Sequence, residues 1–216
     1  IPADTCKVRT IVDERLDQYV QASVQNGVLF ITVDRKSIPS DLKKSLRVKG
    51  APLPVLEAEV YLPSLKSLEM SGNAVLSKTD VLYSDSFSLT LTDKARVEKI
   101  YVDCKTAEIN LSKTAFADVE MKAAEELFVI TSNSSKAVVK QIGKGLKIDA
   151  AGSSIVNAIV EVEKLNILTA GTSVTTLVSG NAGSMKASAA GASKIDAEAV
   201  STPIADMIQA GTSKCY

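Results

Sequence analysis

The sequence predicts an all-β fold, a parallel β-helix of about 20-residue coils behind an N-terminal capping region. Two observations predict it. A small-Gly-x-Ser pattern recurs about every 20 residues: Ala151-Gly152-Ser153-Ser154, Ala170-Gly171-Thr172-Ser173, Ala190-Gly191-Ala192-Ser193 and Ala210-Gly211-Thr212-Ser213. Weaker copies stand upstream at Ser71-Gly72-Asn73-Ala74 and Ser132-Asn133-Ser134-Ser135. A fixed period of this length marks stacked, coil-by-coil architecture. The residues leading into each copy alternate apolar and mixed with a period of two, which is the pattern of a half-buried strand.

The N-terminal third is the least regular part. Val8 to Val12 reads as a strand, and Asp13 to Tyr19 as a helical turn. Val20 to Val24, Asn26-Gly27 and Val28 to Val33 read as a hairpin, because Asn-Gly favours a turn with positive φ at both central residues. Lys36 to Pro54 carries Pro39, Gly50, Pro52 and Pro54 and reads as an excursion. Val55 to Leu62 returns to alternation and is expected to lead into the first coil. Residues 1–54 are therefore expected to cap the β-helix of residues 55–216 as part of one continuous domain, shielding an open strand edge.

The coils can be aligned on the repeat glycine. That column reads Gly72, Asp93, Lys113, Asn133, Gly152, Gly171, Gly191, Gly211. Apart from Lys113 these residue types tolerate a left-handed backbone best, so a sharp structural corner is expected in every coil. Four residues earlier every position is apolar: Leu68, Leu89, Ile109, Val129, Ile148, Ile167, Ala187, Met207. Six earlier, only Lys66 carries a charge. Two residues past the corner stand only Ala and Ser, from Ala74 to Ser213. A further strand follows in most units, as at Ile100 to Val102 and Val160 to Val162. Each coil thus holds two or three short strands, and an apolar row that one coil cannot bury is buried by its neighbours. A helical solenoid is opposed by the period of two and by the Ser, Thr and Val content.

Composition narrows the function. In 216 residues Lys+Arg and Asp+Glu are both 25, and the longest basic grouping is Lys43-Lys44 with Arg47 and Lys49. A nucleic-acid partner, which selects a basic patch or stripe, is not expected. Histidine and tryptophan are absent and aromatics make up 4%. The commonest acid/base group and metal ligand is thus missing, and no metal or other cofactor is expected. No apolar run approaches the roughly 18 residues of a transmembrane segment. Cys6, Cys104 and Cys215 are far apart and form no C-x-x-C pair, so they read as free thiols, with a disulfide from Cys6 as the alternative in an oxidising compartment. The chain opens at Ile1-Pro2 without a positive-then-apolar leader, as a removed signal peptide or a trimmed start would leave it.

The stretch Leu62-Pro63-Ser64-Leu65-Lys66-Ser67-Leu68-Glu69-Met70-Ser71-Gly72, followed by Gly-x-Ser coils, resembles the bacterial family described as "putative auto-transporter adhesin, head GIN domain". Gln25-Asn26-Gly27-Val28-Leu29-Phe30-Ile31 is similar to that family's "dGxLxI" strand. The resemblance covers about residues 7 to 216. It implies a right-handed parallel β-helix, an extracytoplasmic location (periplasm, outer-membrane surface or secreted) and occurrence in Bacteroides-type bacteria. The family usually carries a further Phe-x-x-Ile strand and a Gly-Ile/Val-Asn-like segment upstream, which this sequence does not include.

Three polar or apolar features are candidate sites. The hydroxyls of Ser153, Ser154, Thr172, Ser173, Ser193, Thr212 and Ser213 form a ladder that either binds a glycan or, as small residues beside a tight corner, bonds local backbone; the second is favoured. Asp103, Glu108, Glu120, Glu161, Glu163, Asp196 and Glu198 would be needed in a cluster for polysaccharide cleavage, but Lys neighbours such as Lys105 and Lys164 suggest a charge-balanced face. No histidine activates a serine or cysteine, and no catalytic residue is assigned. Phe128, Ile130, Leu168 and Ile208 fall at nominally outward positions and are the expected oligomer or ligand contact; Gly72, Gly152, Gly171, Gly191 and Gly211 are corner residues. The leading expectation is a non-enzymatic, extracytoplasmic, adhesin-like binding protein that forms a homo-oligomer and meets a glycan or cell-surface ligand. The alternatives are a carbohydrate-binding or polysaccharide-degrading β-helix protein, and a structural or lipid-associated envelope protein.

Overall fold

Eight residues with positive φ stand one per coil in the corner column. Asp93, Lys113 and Asn133 have φ of 63°, 60° and 58°, and the glycines from Gly72 to Gly211 lie between 69° and 76°. The computed structural model describes residues 6–46 and 54–216. The chain forms two compact units, one ending at Pro63 and one running from Ser64 to Tyr216.

In the N-terminal unit, β1 (Lys7–Val12) is followed by a 3-10 turn at Asp17–Tyr19 and by the hairpin of β2 (Val20–Gln25) and β3 (Val28–Val33). Asn26 and Gly27 have φ of 51° and 76°, the two positive values that a type I′ turn needs. The expected excursion contains a short helix, α1 (Ser40–Ser45), with Pro39 just before its first turn. The part of that excursion over residues 47–53, with Gly50, Pro52 and the basic residues Arg47 and Lys49, lies outside the described residues. Next comes β4 (Leu56–Tyr61), which pairs antiparallel with β1. The alternation at Val55 to Leu62 therefore belongs to this small sheet, and stacking starts later, at Ser67.

The larger unit is a right-handed parallel β-helix. Its strands are β5 (Ser67–Met70), β6 (Val75–Leu76), β7 (Leu82–Leu91), β8 (Arg96–Leu111), β9 (Phe116–Thr131), β10 (Lys136–Ala150), β11 (Ile155–Thr169), β12 (Val174–Gly191), β13 (Lys194–Asp196), β14 (Val200–Ser201), β15 (Ala205–Gly211) and β16 (Lys214–Cys215). Each pairs in parallel with the equivalent strand of the next coil, for example Ile109↔Val129↔Ile148↔Ile167↔Ala187↔Met207. The long strands bend without losing the ladder. In β8 the buried alternation breaks at Glu98-Lys99 and again at Lys105-Thr106, so the strand turns twice and presents three flat segments. With the positive-φ corner the coil closes as a triangle.

The inward columns make the core. Leu89, Leu91, Ile100, Ile109, Leu111, Met121, Leu127, Leu146, Ile148, Leu165, Leu177 and Ile195 are the largest side chains shut off from solvent. At roughly 1.5–3 kcal/mol for each fully buried large aliphatic side chain, these rows drive the stacking. The Ala and Ser column past the corner is also buried, from Ala95 and Ala115 to Ser213. The first coil departs from the rule: Ala74 and Lys66 are both exposed.

Candidate functional site

The third flat segment, which runs into each corner, carries two outward columns. One reads Glu108↔Phe128↔Lys147↔Asn166↔Lys186↔Asp206. The other, two residues along, reads Asn110↔Ile130↔Asp149↔Leu168↔Ser188↔Ile208. All four expected contact residues, Phe128, Ile130, Leu168 and Ile208, lie in these columns. Ile130, Leu168 and Ile208 are 40%, 43% and 59% exposed, and Phe128 is half-buried. Apolar side chains thus recur every second coil, about 9.6 Å apart at strand spacing. A shallow groove of about 330 Å³ opens between Lys147, Asn166, Leu168, Lys186, Asp206 and Ile208.

Along the other segments several ion pairs link neighbouring coils. Lys99 Nζ lies 2.9 Å from Asp118 and 3.8 Å from Glu120, and Lys140 Nζ lies 2.8 Å from the same Glu120. Lys122 pairs with Asp103 at 3.3 Å, and Lys113 with Asp93 at 2.6 Å. Lys140 first, and Lys99 with it, hold the Glu120 carboxyl below its ordinary pKa. By contrast, no ion pair among the described residues involves Glu108, Lys147, Asp149, Lys186 or Asp206. Lys147 instead sets its ammonium 5.8 Å from the centre of the Phe128 ring, within cation–π range. The same count from the corner that exposed Ile130 and Leu168 could have found these charges, since they stand three and five residues before it.

The hydroxyl ladder is spent on the fold. Ser135 Oγ donates to the Leu111 and Ser132 carbonyls, Ser193 Oγ to that of Thr169, and Ser213 Oγ to those of Ala189 and Ala210. Ser154 is buried with its hydroxyl between those of Thr131 and Ser173. The outer hydroxyls of Ser153 and Thr172 lie 2.8 Å apart, and Thr172 and Thr212 donate to the Gly152 and Gly191 carbonyls.

The carboxylates are dispersed, as a charge-balanced face requires. Glu161 accepts from Asn181, Asp196 pairs with Lys194, and Glu108 accepts from Asn110. One expected neighbour differs: Lys105 reaches Asp85 at 2.8 Å rather than Asp103, because partners one coil apart stand side by side whereas residues two apart along a bending strand diverge. Among the described residues no three His, Cys, Asp or Glu side chains are grouped as a metal site would need. The three cysteines are free; burial first, and Asp103 second, push the Cys104 thiol up to about 11.

Two overlapping stretches, residues 3–134 and 108–216, match the family model described as "putative auto-transporter adhesin, head GIN domain". The chain belongs to this family. Overlap of the two matches is what a repeating coil produces, since one unit aligns on its neighbours. Membership makes the protein an adhesin-like, extracytoplasmic surface-binding protein on a β-helix scaffold, a binder rather than an enzyme. No curated protein and no solved structure matches the chain. Among the described residues no helix is long and apolar enough to cross a membrane.

Proposed function

We propose that the adhesin-like protein makes its contacts through the outward face of the third segment, joining copies of the chain or holding a glycan or other cell-surface ligand. The observation that carries this is the pairing of an apolar column at Ile130, Leu168 and Ile208 with charged side chains that form no ion pair among the described residues. Exposed apolar side chains aligned in a patch mark interaction surfaces, whereas single ones are ordinary. Large apolar side chains are also exposed elsewhere, among them Val24, Val28 and Phe30 in the hairpin and Tyr101, Ile142, Ile159 and Val178 on the β-helix, but the column at Ile130, Leu168 and Ile208 recurs in register every second coil.

The test is binding of purified protein to a glycan array and to intact cells, run beside light scattering. Leu168→Asp, an outward change that leaves the core intact, is expected to abolish whichever contact the wild type makes. A monomeric wild type without ligand or cell binding would remove this reading. Turnover of a polyuronide would instead favour the carbohydrate-active alternative.

A further inference from the structure

We infer that the occupant of this face is a second copy of the chain, related by a twofold axis that runs along the coil stack between the two outward columns; the inference rests on the contact surface proposed above. Such an axis keeps both β-helices pointing the same way and sets each coil against its own equivalent. A residue five before the corner then faces the partner's residue three before it, and the reverse. Phe128 would meet the partner's Ile130, and Lys147 would meet the partner's Asp149, each contact occurring twice as an isologous interface requires.

Charge fits this axis and opposes an axis along the strands that would stack the two ends of the apolar column on each other. In every coil from β8 to β15 the two outward positions are Glu/Asn, Phe/Ile, Lys/Asp, Asn/Leu, Lys/Ser or Asp/Ile, so no like charges meet. An axis along the strands, placed to stack Ile130 on the partner's Ile208, would set Lys147 against the partner's Lys186 twice and Phe128 against Asp206. Like-charge juxtaposition of that kind costs several kcal/mol. Lys147 is also already positioned: its ammonium lies by its own Phe128 ring without an ion-pair partner.

The face is large enough for such a contact. Eight strands stacked at about 4.8 Å, each giving about five residues of about 3.3 Å, make a face of ~600 Å². Two such faces make about 1,200 Å² in total, at the low end of specific protein–protein interfaces.

Sedimentation velocity over a concentration series of the full chain tests the inference. The wild type is expected to shift from monomer to dimer. Lys147→Asp sets two pairs of like charges together and is expected to weaken the dimer at least about 10-fold. Adding Asp149→Lys restores the complementarity and is expected to recover wild-type association within about threefold, a rescue that a merely local effect on one strand would not give. An unchanged unfolding midpoint confirms that the variants fold. A monomeric wild type overturns the second copy; if Leu168→Asp still abolishes glycan or cell binding, the contact face stands without it. A dimer that Lys147→Asp leaves unchanged or strengthens overturns the proposed axis. A dimer indifferent to Leu168→Asp as well removes the contact face itself.

Discussion

Gly171 and Gly72 share a backbone conformation but differ in what surrounds them. Both have positive φ, 75° and 69°, which L side chains adopt at a cost of about 1–2 kcal/mol. A methyl group on Gly171 would lie 2.6 Å from the Gly152 carbonyl oxygen of the coil below, whereas one on Gly72 would meet nothing within 4 Å. Gly72→Ala should therefore cost about 1 kcal/mol and Gly171→Ala clearly more, about 3 kcal/mol or above, read from urea unfolding. Equal costs would mean that stacking distance plays no part at the corner. Lys113 holds a φ of 60° in the same column. Its ion pair with Asp93 spans the corner, and its neighbours above and below are other left-handed residues of the same column. Cys104 offers a second residue-scale test. With its thiol pushed up to about 11 by burial, a normal unfolded thiol near 9.0 releases its proton first as pH rises. Stability fully present below about pH 9 is then lost as pH climbs towards 11, and Cys104→Ala should flatten that part of the stability profile. Alkylation at pH 8 should label exposed Cys6 well before Cys104.

At the scale of the element, the coil length varies and one side chain repairs the consequence. From Lys113 to Asn133 the corner recurs after 20 positions, and from Asn133 to Gly152 after 19. The missing residue is taken out at the bend of β10, where the register with β9 shifts between Gln141 and Gly145. Gly143 fits there because a Cβ would come within 1.8 Å of the Ala123 carbonyl oxygen. The buried Gln141 bridges the break. Its Nε2 donates to the Ala123 carbonyl at 2.9 Å, and its Oε1 accepts from the Ala123 N–H at 3.3 Å. Gln141→Leu keeps the volume but strands both backbone groups, and should cost about 2–4 kcal/mol in thermal or urea unfolding. Indifference to that change would show that the bend satisfies its backbone another way. Gln141 stands at an inward position beside Met121 and Val160 of the neighbouring coils, and a polar residue in such an apolar column is the signal that could have marked it.

At the scale of the whole molecule, ion pairs along the β-helix set its response to pH. Asp85, Asp93, Glu120 and Asp196 all have carboxyls held below the ordinary range, mainly by a hydrogen-bonded lysine. Their contribution is present above the unfolded carboxylate pKa and is lost as pH falls through the lower folded values. Melting temperature should therefore fall on acidification below about pH 4, and 1 M salt should narrow the difference between neutral and acid because these pairs are exposed. The capping role proposed for the residues ahead of the first coil makes a separate prediction. A chain starting at Ser64 should aggregate or form larger assemblies by light scattering, through strand edges left to pair. A well-behaved truncated chain of unchanged association would remove the capping proposal.

The sequence alone determined the coil: its period, its corner and its inward rows. Each of these is a one-dimensional constraint, since a left-handed backbone selects Gly, Asn or Asp at a single position and burial selects every second residue. Ile130, Leu168 and Ile208 could be assigned outward by the same counting. Tertiary structure decided what counting along one coil does not reach. It set which charges neutralise each other across coils, as Glu120 does with Lys140 and Lys99, and which remain unpaired beside the apolar column, as Lys147 and Asp149 do. It also sent β4 to β1, although Val55 to Leu62 alternates as a coil strand would. The reason is the same in each case: alternation specifies which face a side chain takes, whereas its partner depends on the register between strands, which bends and one-residue deletions reset.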